Sequence, residues 1–200
     1  MEYAEIPAPS AENPGEPPPA EPARAGEQRK RRVRDLITLL KDPNLNSRWH
    51  AAELLGLERD PEAVVPLIEA LKDPFVDVQW LAAKSLGQIG DLRAIGPLLD
   101  ATTSDDKWLR AGAAWGLGKL KDSRAVERLL VLLKDKKTRV RKEAAWALGS
   151  IADNRAVPGL TEVLNDPDAG VRDAAGKALK SLKGAPGEPD EGPATAKPAQ

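Results

Sequence analysis

Apolar residues recur along this chain in two alternating stripes with helical spacing, and the alternation itself repeats. Asp60, Asp91, Asp122 and Asp153 stand 31 residues apart and divide the chain into five gapless blocks: 30–60, 61–91, 92–122, 123–153 and 154–184. Columns 4, 7, 8 and 11 of each block form one stripe; column 7 reads Leu36, Leu67, Leu98, Leu129 and Leu160. Columns 18, 22, 26 and 29 form the second. Column 22 is Ala51, Ala82, Ala113, Ala144 and Ala175, and column 26 is Leu55, Leu86, Leu117, Leu148 and Leu179. Steps of three and four residues keep side chains on one helix face. Each block therefore predicts two amphipathic helices, A over about columns 2–12 and B over about columns 16–29.

Polar punctuation agrees with these elements. Asp42-Pro43, Asp73-Pro74 and Asp166-Pro167 predict an N-cap before a proline in the first turn, and the column-31 aspartates predict caps for the next A helix. Gly90-Asp91 predicts a left-handed stop followed by a cap. Column 27 holds Gly56, Gly87, Gly118 and Gly149. Glycine inside a helix costs about 0.5–1 kcal/mol against alanine, so its recurrence predicts that B helices pass close to a neighbouring backbone. One helix pair cannot bury its own apolar face, whereas stacked pairs bury each other's. The expected fold is all-α, an α-solenoid of five stacked helix pairs over 29–184.

Composition adds the ends. Residues 1–28 carry six Glu against one Arg, residues 184–200 three acids against one Lys, and the middle has an excess of six positive charges. The formal net charge of −1 is a sum over unlike parts, and 11 of the 18 prolines lie in the two ends. Such segments bury too little apolar area to offset their ordering entropy, so 1–28 and 185–200 are expected to be disordered tails. Pro17–Pro19 is a candidate docking peptide for a domain that reads extended proline helices. The absence of Cys excludes disulfides and thiolate chemistry, and a single His excludes a multi-histidine metal centre. No apolar run reaches about 18 residues, so no membrane span is expected. The Met1-Glu2 start has no leader pattern, and a cytoplasmic monomer is expected.

The chain has one Phe and one Tyr but five Trp. At about 100° per residue, with column 17 at zero, the core columns of helix B fall at about 100–180°. Trp108 occupies column 17, Trp49 and Trp80 column 20, and Trp115 and Trp146 column 24. All five lie within about 60° of one another and oppose the core stripe. Tryptophan carries a large apolar area and is enriched at binding hot spots.

The segment Arg124-Ala125-Val126, Leu129-Leu130, Leu133-Lys134-Asp135, Val140-Arg141, Ala144-Ala145, Ala147-Leu148-Gly149 and Ile151-Ala152-Asp153 resembles the HEAT-repeat superfamily. It is similar to the short HEAT-like repeats of the phycobilisome (PBS) lyase type. The resemblance implies that the B helices line a concave side. It also implies an Asp–Arg ladder between neighbouring repeats: Asp42/Arg48, Asp135/Arg141 and Asp166/Arg172 match, while Gln79 follows Asp73 and Ser104 precedes Arg110. The ladder is therefore expected to be interrupted in the middle. Deoxyhypusine hydroxylase, a HEAT-repeat enzyme, uses His-Glu pairs for its metal; here His50 is followed by Ala51, which argues against that activity. Trp108 beside Asp105-Asp106 is a faint echo of HEAT-like DNA glycosylases.

The expected function is a non-catalytic scaffold that binds a protein or peptide in a Trp-lined concave groove. Its expected contact residues are Trp49, Trp80, Lys84, Trp108, Trp115, Lys119, Arg139, Lys142 and Trp146, with no catalytic residue, metal or cofactor. The alternatives are an accessory lyase or chaperone-like role for a pigment or modified protein, and nucleic-acid binding through the basic core and the run Arg29–Arg34.

Overall fold

The computed structural model describes residues 21–184; of the tails expected at 1–28 and 185–200, residues 1–20 and 185–200 lie outside the described residues. The chain divides into residues 1–32 and 33–200. Helix α1 (Glu21–Leu39) supplies the described part of the first unit and opens the second. It starts inside the segment 1–28 that was expected to be tail. Residues 24–32 are Arg, Ala, Gly, Glu, Gln, Arg, Lys, Arg and Arg, mostly strong helix formers, which a tail reading based on proline and charge underweights.

From Val33 onward the described residues form helix pairs with no strand. The B helices are α2 (Leu45–Glu58), α4 (Val76–Ile89), α6 (Lys107–Leu120), α8 (Thr138–Ile151) and α10 (Ala169–Gly184). The first four span columns 16–29 of their blocks, as expected from periodicity. The A helices α3 (Val64–Ala70), α5 (Ile95–Ala101), α7 (Val126–Leu132) and α9 (Val157–Val163) are shorter than expected. Each follows a 3-10 turn capped by a column-31 aspartate; Asp60, for example, accepts the Glu62 N–H at 3.0 Å. This tight turn occupies columns 1–3 and so takes up the first two columns of the expected helix.

The B helices end at column 30 in the left-handed region. Gly90 (φ 83°) suits it, but Arg59 (φ 51°), Lys121 (φ 54°) and Ala152 (φ 60°) carry side chains there. A left-handed L-residue costs roughly 1–2 kcal/mol, partly offset in any glycine variant by a looser unfolded chain. Ala152→Gly is therefore expected to raise stability by about 0.5–1 kcal/mol, read as a higher urea midpoint at unchanged m-value.

Each B helix packs on the next, from α2 through α10, and each of α3, α5, α7 and α9 packs on its own B helix. The column-22 alanines are fully buried, as are Leu55, Leu86, Leu117 and Leu148. The column-27 glycines permit this spacing: a Cβ at Gly118 would stand 2.7 Å from Ala147 Cα, and one at Gly149 would stand 2.6 Å from Ala178 Cα. Successive A helices touch far less than successive B helices do.

The aspartates of column 13 correct an expectation. Asp42, Asp73 and Asp166 do not cap B helices; Asn44 caps α2, Asp106 caps α6, and Phe75 precedes α4 without a side-chain cap. Asp73 instead accepts from the Phe75 N–H at 2.9 Å and pairs with Arg48 of the preceding repeat at 2.7 Å. Arg110–Asp135 and Arg141–Asp166 repeat the pairing, each also at 2.7 Å. The ladder thus joins residues 25 apart. Its gap is one rung, between Gln79 and Ser104, where arginine and aspartate are replaced together. Gln79 still donates to the Asp73 carbonyl at 2.6 Å, as Arg110 does to Ser104 at 2.8 Å. Ser104 still accepts from the Asp106 N–H at 3.1 Å. The local turn survives and only the cross-repeat link is lost.

Candidate functional site

The face of α4, α6 and α8 opposite the core is built on small residues of α6. A Cβ at Gly112 would stand 2.8 Å from Trp80 Cδ1, and one at Gly118 would stand 2.8 Å from Trp146 Cζ3. The glycines therefore let indoles from both neighbouring helices lie against α6. Between them Trp115, from α6 itself, stacks on Trp146 with ring centres 5.8 Å apart and planes 10° apart.

Cations cover the Trp80, Trp115 and Trp108 rings. Lys84 Nζ stands 4.5 Å from the Trp80 ring centre and 5.4 Å from that of Trp115. Lys119 Nζ is 5.7 Å from Trp115. Near the start of α6, Trp108 lies between Arg139 at 4.8 Å and Lys107 at 5.3 Å. An ammonium or guanidinium over an indole face gains about 0.5–1 kcal/mol where exposed. None of the five Trp is buried: Trp108 and Trp146 are 40% and 37% exposed, and the other three are half-buried.

Two depressions flank Glu143. A small one, of about 140 Å³, is lined by Trp80, Lys84, Ala111, Trp115, Arg139 and Glu143. A wider one, of about 490 Å³, runs from Trp115 and Trp146 past Lys142 to Lys177 of α10. Burial pushes the Glu143 carboxyl up, against the lowering pull of Arg139, Lys142 and Lys84. Its ionised form therefore opposes folding. Glu143→Gln is expected to stabilise the chain at neutral pH. The gain should disappear as pH falls through the raised value toward the ordinary glutamate range, where both chains are neutral at this position. Urea midpoints of both chains across that range check this.

Of the residues expected at the site, Trp80, Lys84, Trp115, Lys119 and Trp146 come together, with Lys142 in the wider depression and Arg139 joining them to Trp108. Trp49 stands apart: it meets His50 edge-on at 5.0 Å and lines a separate shallow hollow with Asp77. Glu143 and Lys107 belong to the site but were not among the expected contacts. Their signal was available, since Glu143 is one turn from Arg139 and three residues before Trp146. Asp106, paired in the sequence with Trp108, is spent on capping: its carboxylate accepts the Trp108 and Leu109 N–H groups. Among the described residues, no group of three or more His, Asp or Glu could hold a metal ion. Nor, among the described residues, is any helix long and apolar enough to cross a membrane.

The HEAT-repeat family profile matches residues 33–112 and 95–180, most of the repeat array. The chain belongs to the HEAT-repeat family. No curated protein matches the sequence significantly. Among solved structures, this HEAT chain is similar to the CpcE–CpcF complex of phycocyanin lyase from Nostoc sp. PCC7120, at 26% identity and TM-score 0.68, covering 88% of this chain and 70% of that one. YibA of Escherichia coli matches at 26% identity and TM-score 0.62, covering 84% of this chain and 66% of that one. A designed armadillo repeat protein in complex with the peptide (KR)4 matches at 20% identity and TM-score 0.58, covering 78% and 86%, and shares the fold.

Proposed function

We propose that this HEAT-repeat chain is a non-catalytic scaffold that holds a protein or peptide against the indole face of α4, α6 and α8. The observation that carries the reading is the placement of Trp80, Trp108, Trp115 and Trp146 on one face with none buried, Trp80 lying half-buried against the edge of the core. An apolar centre ringed by charge is the anatomy of a protein-binding patch, and indoles are the commonest hot-spot side chains. The similar CpcE–CpcF structure is itself a complex of two chains.

The test is a displayed peptide library selected on the full chain and counter-selected on Trp80→Ala/Trp115→Ala/Trp146→Ala. Peptides that bind the parent at least tenfold tighter than the variant support the reading, provided the variant keeps its helical circular dichroism. Enrichment indifferent to the three indoles removes it.

A pigment-handling accessory role is the second reading, favoured by the likeness to phycocyanin lyase. The depression of about 490 Å³ falls within the size range of small-molecule pockets. Visible absorbance that travels with the purified chain, and is lost in Trp146→Ala, distinguishes it.

A further inference from the structure

We infer that the occupant of this face is an extended acidic segment of another protein, with carboxylates recurring about every third residue. The inference rests on the partner-binding reading above and adds the partner's chemistry. Indole faces attract cations, so a Trp-lined groove by itself would suit a basic peptide. Here that role is already filled from within: Lys84, Lys107, Lys119 and Arg139 lie over the rings of Trp80, Trp108 and Trp115. A basic ligand would have to displace them and meet their charge. A carboxylate can pair with the same ammonium groups while they stay on the indoles, and an apolar side chain can rest on the exposed edge of Trp146.

Charge along the face points the same way. The acid lining the small depression is Glu143, which burial already biases toward its neutral form. Asp173 is held by Lys177 at 2.8 Å. Among the described residues Lys119 and Lys142 form no ion pair, and both are exposed. Neighbouring B helices stand about 8–10 Å apart, and an extended chain advances about 3.3 Å per residue. One carboxylate in three then meets one helix after another. A single-stranded nucleic acid is also anionic. However, Trp115 and Trp146 are stacked on each other without room for a base between them, and Glu143 shares the small depression with Lys84 and Arg139.

The experiment measures anisotropy of labelled peptides of about 12 residues, long enough to cross four helices, against the full chain. The probes are repeats of Glu-Gln-Leu, Gln-Gln-Leu and Lys-Gln-Leu, with a thymidine oligonucleotide of matching length. The acidic peptide is expected to bind at least tenfold tighter than the neutral one and to weaken with salt. Lys119→Glu/Lys142→Glu, two exposed positions, should reverse the preference toward the lysine peptide. Tighter binding of the neutral peptide, the lysine peptide or the oligonucleotide would overturn the inference, as would no binding by any probe. Binding seen only after Glu188, Asp190 and Glu191 are made neutral would also overturn it, by assigning the face to this chain's own end. If library peptides depend on the three indoles but are not acidic, the scaffold reading stands and only the acidic partner is lost.

Discussion

Replacing Arg110 with alanine is expected to lower the stability of the stack by about 3 kcal/mol, the lower end for a buried ion pair that loses one partner. Arg110 makes four short contacts. Its guanidinium donates twice to Asp135, at 2.7 and 3.1 Å, and twice to the carbonyls of Ser104 and Asp105, at 2.8 and 2.9 Å. The paired side chains are about nine-tenths buried, at 8% and 10% exposure. Without Arg110 the Asp135 carboxylate stays in place with the Lys137 N–H as its remaining close donor. Burial alone would raise that carboxyl, but Arg110 and Lys137 outweigh it and hold it below the usual carboxylate range. The pair's stability is therefore present at neutral pH and lost as pH falls through the depressed value.

The chain supplies its own control. The Gln79–Ser104 rung keeps each local turn bond without any charge. Arg110→Gln/Asp135→Ser copies it and is expected to recover most of the loss, because no buried charge is then stranded. Urea midpoints for the alanine variant and the double variant separate a stranded charge from a missing contact. If the double variant is as unstable as Arg110→Ala, the ladder's strength does not lie in its compensation.

The second large effect is a change of sign between two glycines. Gly118→Ala is expected to cost about 2 kcal/mol, since overpacking of about 1–3 kcal/mol outweighs the gain in helix propensity. The new Cβ would press on Ala147 Cα at 2.7 Å, and backbone in a stacked helix cannot swing aside as a side-chain end can. It would also reach Trp146 at 2.8 Å, so the Trp115–Trp146 pair should loosen with it. At Gly96, in α5, a Cβ meets nothing within 4 Å. The same change there should stabilise by about 0.5 kcal/mol. Equal effects at both positions would mean that helix B spacing does not depend on column 27.

These two features differ in how far they could be read from the sequence. The glycine column was legible because it repeats every 31 residues inside a helix, where glycine needs a reason. The bounds of α2, α4, α6 and α8 were legible because their apolar stripes are long and regular. The ladder was read correctly as pairing between neighbouring repeats, but its matches were counted within repeats: Asp42 and Arg48 sit six apart, whereas each pair forms across 25 residues, set by how one repeat stacks on the next. The apparent interruption was therefore counted on two repeats when it is one neutral rung. The site shows the same division. Facial angles opposed every tryptophan to the core stripe, a property of one helix at a time, yet Trp49 and Trp80 pack half-buried against the core. That Lys84 lies between Trp80 and Trp115, and that Trp49 stands apart, depends on register between helices, which periodicity does not carry. The early start of α1 at Glu21 was missed because proline counts over 1–20 were extended into a stretch of helix formers.

Binding of a partner at the proposed indole face of α4, α6 and α8 is directly observable, because five indole N–H groups give five reporters in a nitrogen–proton correlation spectrum of the full chain. Adding a library-selected peptide is expected to shift the Trp80, Trp108, Trp115 and Trp146 signals and to leave Trp49 in place. Saturable binding that moves none of those four, with shifts confined to α3, α5, α7 and α9, would contradict it.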